Sequence, residues 1–224
     1  MRAILLVGAA SLGLVGTSVS AQDLSGLRIE GRLGWDQVGV EQRIPDPDEE
    51  DDFLKGSGDD DGVAFGGEIG YDAMIGDSLL IGAYAGVDFS DNEICNELIE
   101  DDLACTDLDR TFSFGLRAGV PIGGTSLIYA KGGYSIGSVD AAYDPDVTDN
   151  GDDDPGEIAE FSDAWGGFHA GAGIELGFTD SFYGKVEYVY TDFGTDSYEI
   201  DEDIGPLDIG VDRHQVMVGV GLRF

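Results

Sequence analysis

The sequence predicts an all-β fold, an eight-stranded antiparallel up-and-down transmembrane β-barrel with four long acidic extracellular loops and short periplasmic turns. Three observations predict it. Eight segments alternate apolar and polar residues with the period of two that a strand imposes. The connections between them alternate strictly between tight turns and long acidic runs, which in a meander places every long connection at one end. The chain carries 46 Asp and Glu against 11 Lys and Arg, a formal net charge of −35, yet the polar faces of its strands are electrically balanced.

The chain begins with Met1 and Arg2, an apolar stretch from Ala3 to Val15, and the small residues Val19-Ser20-Ala21 before Gln22. This is the pattern of a cleaved signal peptide over residues 1–21, leaving the barrel to residues 22–224. The apolar stretch is shorter than the ~20 residues a spanning helix needs, and no later stretch reaches ~18. Any membrane crossing therefore falls to strands.

The strands are expected near residues 27–40, 63–74, 79–90, 110–121, 127–139, 164–178, 182–192 and 211–224. The first sets Leu27, Ile29, Leu33 and Trp35 against Arg28, Glu30, Arg32 and Asp36. The second opposes Phe65, Ile69 and Tyr71 to Glu68 and Asp72, and the third Ile81, Val87 and Phe89 to Tyr84 and Asp88. In the fourth and fifth, Phe112, Phe114, Leu116, Ile128, Tyr134 and Ile136 oppose Arg117 and Lys131. The sixth opposes Phe168, Ile174, Leu176 and Phe178 to His169 and Glu175, and the seventh Phe182, Val186, Tyr188 and Tyr190 to Lys185 and Glu187. The eighth sets Val216, Val218, Val220, Leu222 and Phe224 against Arg213, Gln215 and Arg223. Aromatic residues sit toward the ends of the apolar faces, as girdles at the two membrane interfaces require.

The polar faces hold seven cations (Arg28, Arg32, Arg117, Lys131, Lys185, Arg213, Arg223) and seven anions (Glu30, Asp36, Glu68, Asp72, Asp88, Glu175, Glu187). A solvated face on so acidic a chain has no reason to balance. A confined interior does, because an unpaired buried charge is heavily penalised. The charged faces are therefore assigned to the lumen and the apolar faces to lipid, with lumen-side glycines such as Gly70 and Gly82 making room for long side chains. The inverse arrangement, a soluble exported eight-stranded binding barrel with an apolar interior, has the same alternation.

The acid is concentrated in the long connections, near 41–62, 91–109, 140–163 and 193–210. The first holds Asp46, Asp48, Glu49, Glu50, Asp51, Asp52, Asp59, Asp60 and Asp61, with similar runs in the other three. Such a surface repels nucleic acid and anionic headgroups electrostatically. Its first role is a hydrated, self-repelling exterior. The second is weak, collective binding of Ca²⁺ or Mg²⁺ by carboxylate oxygens, although no run has a defined calcium-loop spacing. Cys95 and Cys105, with nine residues between them, are expected to form a disulfide in an oxidising export route. No cofactor is expected. His169 has no serine two residues on, His214 sits at the loop end of the last strand, and no nucleophile elbow or phosphate loop occurs, so no catalytic residues and no enzyme are predicted.

Four motifs carry a family resemblance: Tyr129-Ala130-Lys131-Gly132-Gly133-Tyr134; Gly171-Ala172-Gly173-Ile174-Glu175; the run from Lys185 to Gly194 (KVEYVYTDFG); and the run from His214 to Phe224 (HQVMVGVGLRF). In this order they resemble the small eight-stranded outer-membrane barrels that include opacity-type and alphaproteobacterial porin-family surface proteins. The resemblance implies the outer membrane of a Gram-negative cell, outer-membrane lipid as surroundings, and insertion by the barrel-assembly machinery with Phe224 as the terminal aromatic signal. It implies no single activity. The expected function is structural, with an extracellular partner met through the loops and a side-chain-plugged lumen of at most small ion conductance; a narrow cation-preferring pore is the alternative.

Overall fold

The computed structural model describes residues 24–45, 53–90, 93–96, 103–144, 159–201 and 205–224. The leader expected over 1–21, the acids Asp46 to Asp52 and most of the third acidic run lie outside them. Nine strands form: β1 (Gly26–Pro45), β2 (Phe53–Ile75), β3 (Leu79–Ser90), β4 (Glu93–Asn96), β5 (Leu103–Ile122), β6 (Ser126–Asp144), β7 (Ala159–Gly177), β8 (Phe182–Asp201) and β9 (Gly205–Arg223). Every pairing is antiparallel. Neighbours follow the order β3-β2-β1-β9-β8-β7-β6-β5, and β3 pairs with β5 to close the sheet on itself. β4 pairs with the stretch of β5 beyond that used by β3, so the barrel wall has eight strands.

Closure leaves the eight-stranded wall without a free edge, while β4 and residues 53–63 of β2 are paired on one side only. The seam between first and last strands is made by β1 and β9, and the final residue takes part in it: the Phe224 amide donates to the Leu27 carbonyl at 2.8 Å. At one end three tight connections occupy residues 76–78, 123–125 and 178–181. The other end differs from the expected plan. Residues 53–62 belong to β2 and pair with β1, so Asp59, Asp60 and Asp61 stand opposite Gly39, Val38 and Gln37 on a ladder rather than in a loop. Likewise β8 runs on to Asp201 and β9 starts at Gly205, where a loop over 193–210 was expected.

The physical reason is that a strand need not stop where its hydrophobic pattern stops. Crossing hydrocarbon takes only ~9–11 residues, and beyond it the backbone continues to satisfy its own hydrogen bonds by pairing. Acidic side chains on such an extension simply face water; Gln37 Nε2 donates to Asp59 Oδ2 at 3.3 Å there. The barrel therefore projects paired hairpins, and the ladder bulges where they begin, between Leu108 and Arg110 and between Asp192 and Thr195.

On the β4–β5 hairpin, Cys95 stands directly opposite Cys105. Directly opposed antiparallel residues have Cα atoms ~4.5–5.5 Å apart, inside the range a disulfide spans. The exported protein should show an intact mass two hydrogens below the dithiol form, and alkylation should find no free thiol until it is reduced; a protein that alkylates fully without reductant lacks the bridge.

Which face is inside is settled by alternation along each wall strand. On β1, Arg28, Glu30 and Arg32 are buried while Ile29 and Leu33 are 49% and 58% exposed. Glu68 and Arg117 are buried, and Ile69 and Leu116 face outward. The inverse arrangement, apolar within and charged without, is thereby excluded. Trp35, Phe65 and Phe112 lie on the outer wall toward the hairpins, and Tyr71, Phe178, Phe182 and Phe224 toward the turns.

Candidate functional site

The candidate site is the lumen. All fourteen charged residues predicted for it are buried, none more than 7% exposed. Nearest neighbours on the ladder do not explain how they are neutralised. Arg117 stands opposite Lys131, and Glu30 opposite Glu68, like charge beside like charge on one face. Some partners lie two residues along the same strand or diagonally on the neighbouring one, as for Arg28 with Glu30 and Glu68, and others are reached across the lumen from strands that do not pair, as for Lys131 with Glu68.

Arg117 is bidentate to Asp72, with Nε donating to Oδ1 at 2.9 Å and Nη2 to Oδ2 at 2.5 Å, and its Nη1 meets Glu175. Arg223 reaches the other oxygen of Glu175 at 2.9 Å. Lys131 donates to Glu68 at 2.7 Å and lies 3.2 Å from Glu187. Arg32 holds Asp88 with two nitrogens, at 2.8 and 2.7 Å, and donates to Glu68 at 2.8 Å. Arg28 touches Glu30, Glu68 and Asp72, and Lys185 joins Glu30 to Glu187. These contacts link six cations and six anions into one net-neutral network. The seventh pair stands nearer the hairpins: Arg213 grips Asp36 with two 2.6 Å bonds, and its Nη1 donates to Thr111 at 2.7 Å.

Three tyrosines reinforce the network; alternation sets Tyr84 on the lumen face, whereas Tyr129 and Tyr183 are not among the residues predicted there. Tyr129 donates to Glu187 at 2.6 Å and Tyr183 to Glu30 at 2.5 Å. Each lies beneath a cation: Arg117 is 4.9 Å from the Tyr129 ring, Arg223 5.0 Å from Tyr183, and Lys131 4.1 Å from Tyr84. A cation over a ring face in a desolvated site is worth about 2 kcal/mol. The parity that revealed Lys131 and Lys185 also places Tyr129 and Tyr183 two residues earlier on the same faces, so that signal was present.

Room for these side chains comes from glycine at close approach. A Cβ on Gly70 would lie 2.6–2.7 Å from Nη2, Cζ and Nε of the Arg28 guanidinium. Arg28 could yield only by leaving its carboxylates, so Gly70→Ala should cost ~1–3 kcal/mol, the usual range for overpacking. A lowered temperature of heat-modified gel migration would show it; migration unchanged from the parent would contradict it.

His169 is buried in the upper lumen between two hydroxyls, Tyr84 at Nε2 and Ser135 at Nδ1, 2.8 Å away. It lines a small cavity with Arg32, Asp88, Ser113, Lys131 and Gln215. The hydroxyls fix the ring, and Ser135, brought in from β6, is a serine neighbour that spacing along the strand of His169 did not reveal. His214 lies on the outer wall, with Nδ1 2.7 Å from the Tyr188 hydroxyl and Nε2 3.2 Å from Asp212. Among the described residues, no three His, Cys, Asp or Glu are grouped to hold a metal ion.

The lumen departs from the expected pattern at the turn end. There several inward positions are apolar beside the last charges, Glu175 and Arg223: Leu80 and Leu127 are fully buried, and Leu24, Tyr129 and Met74 pack with them. The face that carries charge through most of its height ends in a greasy floor.

Residues 7–224 match the family described as outer membrane protein beta-barrel domain. Two curated relatives are outer-membrane proteins. The 22 kDa outer membrane protein of Rhizobium leguminosarum bv. viciae is 29% identical over 98 residues, covering 44% of this chain and 39% of the relative. The 31 kDa outer-membrane immunogenic protein of Brucella melitensis biotype 1 is 26% identical over 169 residues, covering 73% and 67%. The chain thus spans well under half of the first relative and about two thirds of the second. Among solved structures, OprG from Pseudomonas aeruginosa covers 91% of this chain and 99% of its own at 13% identity, with a TM-score of 0.48. Neisserial surface protein A covers 89% and 98% at 14% identity, with a TM-score of 0.46.

Proposed function

This chain belongs to the outer membrane protein beta-barrel family and resides in the outer membrane, and from that premise we propose that it is a closed structural base that presents acidic hairpins at the cell surface. The observation that carries this reading is the twelve-residue, net-neutral ion network across the lumen. Eight strands enclose a space that side chains can fill, and here charged side chains fill it in mutual contact. Solutes have no open path, and ions pass only when pairs exchange partners, so any conductance is small. Function then moves to the hairpins, which are rigid where they are paired and strongly acidic. Such surfaces favour cationic partners, or anionic ones bridged by divalent ions, over phosphate-rich ones. Weak collective uptake of Ca²⁺ or Mg²⁺ belongs to the same proposal; calorimetry showing no heat on adding millimolar Ca²⁺ would remove it.

Planar-bilayer recording tests the closure. The refolded protein should give at most small, brief current steps. Large, steady conductance with cation selectivity would replace this reading with a narrow cation-preferring pore.

A further inference from the structure

The short segment that precedes β1 has a placement that wall geometry does not require. Leu24 and Ser25 belong to no strand, yet Leu24 is only 3% exposed. It is buried against Leu80, Leu127 and Tyr129, with Met74 packed beside them. Leu80 is the second residue of β3 and Leu127 the second of β6, so both stand just inside the tight turns. Residues from four places in the chain thus meet at one mouth of the lumen.

Two local features hold the segment there. Gly26 has φ +139°, a conformation that residues with a Cβ rarely adopt, and a Cβ at this position would lie 2.0 Å from the Phe224 carbonyl oxygen. Glycine lets the chain leave the wall at the β1–β9 seam and fold across the opening. Ser25 Oγ then accepts a hydrogen bond from the Met74 amide at 3.0 Å, tying the segment to the end of β2.

We propose that Leu24 to Gly26 form a stopper, with Leu24 closing the turn-end mouth of the lumen as the centre of a dry apolar septum. In barrels of this type the turn end faces the periplasm. The septum bears directly on the charge network, because Tyr129 belongs to both: its ring packs in the floor while its hydroxyl donates to Glu187 and Arg117 lies over its face. Keeping water from below strengthens the pairs above, since charges attract more strongly where solvent is excluded.

The test is thiol accessibility in the folded, detergent-solubilised protein with Cys95 and Cys105 both replaced by serine. Leu80→Cys reports on the septum and Asp77→Cys, in the neighbouring turn, on free access. With Leu24 present, a polar maleimide should label Leu80→Cys far more slowly than Asp77→Cys. Leu24→Gly should speed labelling at residue 80 about tenfold or more, as expected when a local opening becomes favourable, while Leu24→Ile should leave it slow. Heat-modifiable migration identifies the folded fraction of each variant, and Leu127→Cys serves as the reporter if Leu80→Cys does not fold. Equal rates with Leu, Ile and Gly at position 24, or a reporter that already labels as fast as Asp77→Cys, would overturn the stopper. That outcome would leave closure by the ion network intact, because bilayer conductance reads the latter separately.

Discussion

Replacing Glu68 with glutamine is expected to destabilise the folded barrel by ~3–5 kcal/mol, the cost of breaking a buried ion pair from one side. Glu68 is the meeting point of the network. Its Oε1 accepts from Arg28 at 2.7 Å, and its Oε2 accepts from Arg32 at 2.8 Å and from Lys131 at 2.7 Å. Glutamine keeps the shape but withdraws the charge, leaving three cations beside one another with an NH₂ group where an acceptor stood. The measure is the temperature at which gel migration shifts from folded to unfolded. Adding Lys131→Met to Glu68→Gln restores neutrality and should recover part of the loss, because removing both partners avoids the orphaned charge. If the single variant converts at the parent temperature, the network does not hold the barrel together in the way its contacts imply.

The face of each charged residue was legible from the sequence, whereas its partner was not. Alternation fixes the face because the strand period is two, and it placed all fourteen lumen charges from Arg28 to Arg223. It says nothing about contacts across the lumen, which depend on strand tilt and on the lengths of side chains reaching from opposite walls. Ladder neighbours would even mislead: Arg117 faces Lys131 on the sheet and finds Asp72 and Glu175 elsewhere. Two further features escaped for related reasons. Asp59 to Asp61 lie on β2 because pairing outlasts hydrophobicity, so composition marks where the membrane stops rather than where the strand does. Leu80 and Leu127 have lumen parity, but an apolar residue on a charged face looks like noise until closure gathers several of them at one mouth.

The second large effect is expected on the opposite face. Leu116 is the middle residue of the outward apolar run Phe112, Phe114, Leu116, Ala118, Val120 on β5 and is 69% exposed. In a water-soluble barrel, Leu116→Arg would be a mild surface change or a gain in solubility. On a wall facing hydrocarbon it places a guanidinium near the bilayer midplane, at ~2–4 kcal/mol for a transmembrane barrel. The cost should fall toward the interface, so Val120→Arg, two outward positions nearer the turn, should be the less harmful of the pair. Folded fraction after refolding into lipid vesicles, scored by heat-modifiable migration across a urea series, compares them. Detergent supplies the internal control, since a micelle deforms around the charge and should narrow the difference. Equal stability of Leu116→Arg and parent in vesicles would mean that this wall does not meet lipid there. A depth-dependent loss, in contrast, ties the exposed leucines and valines to one cause: they are outside because the solvent at that height is hydrocarbon, and the charges are inside because the lumen is the one place at that height where they can meet each other.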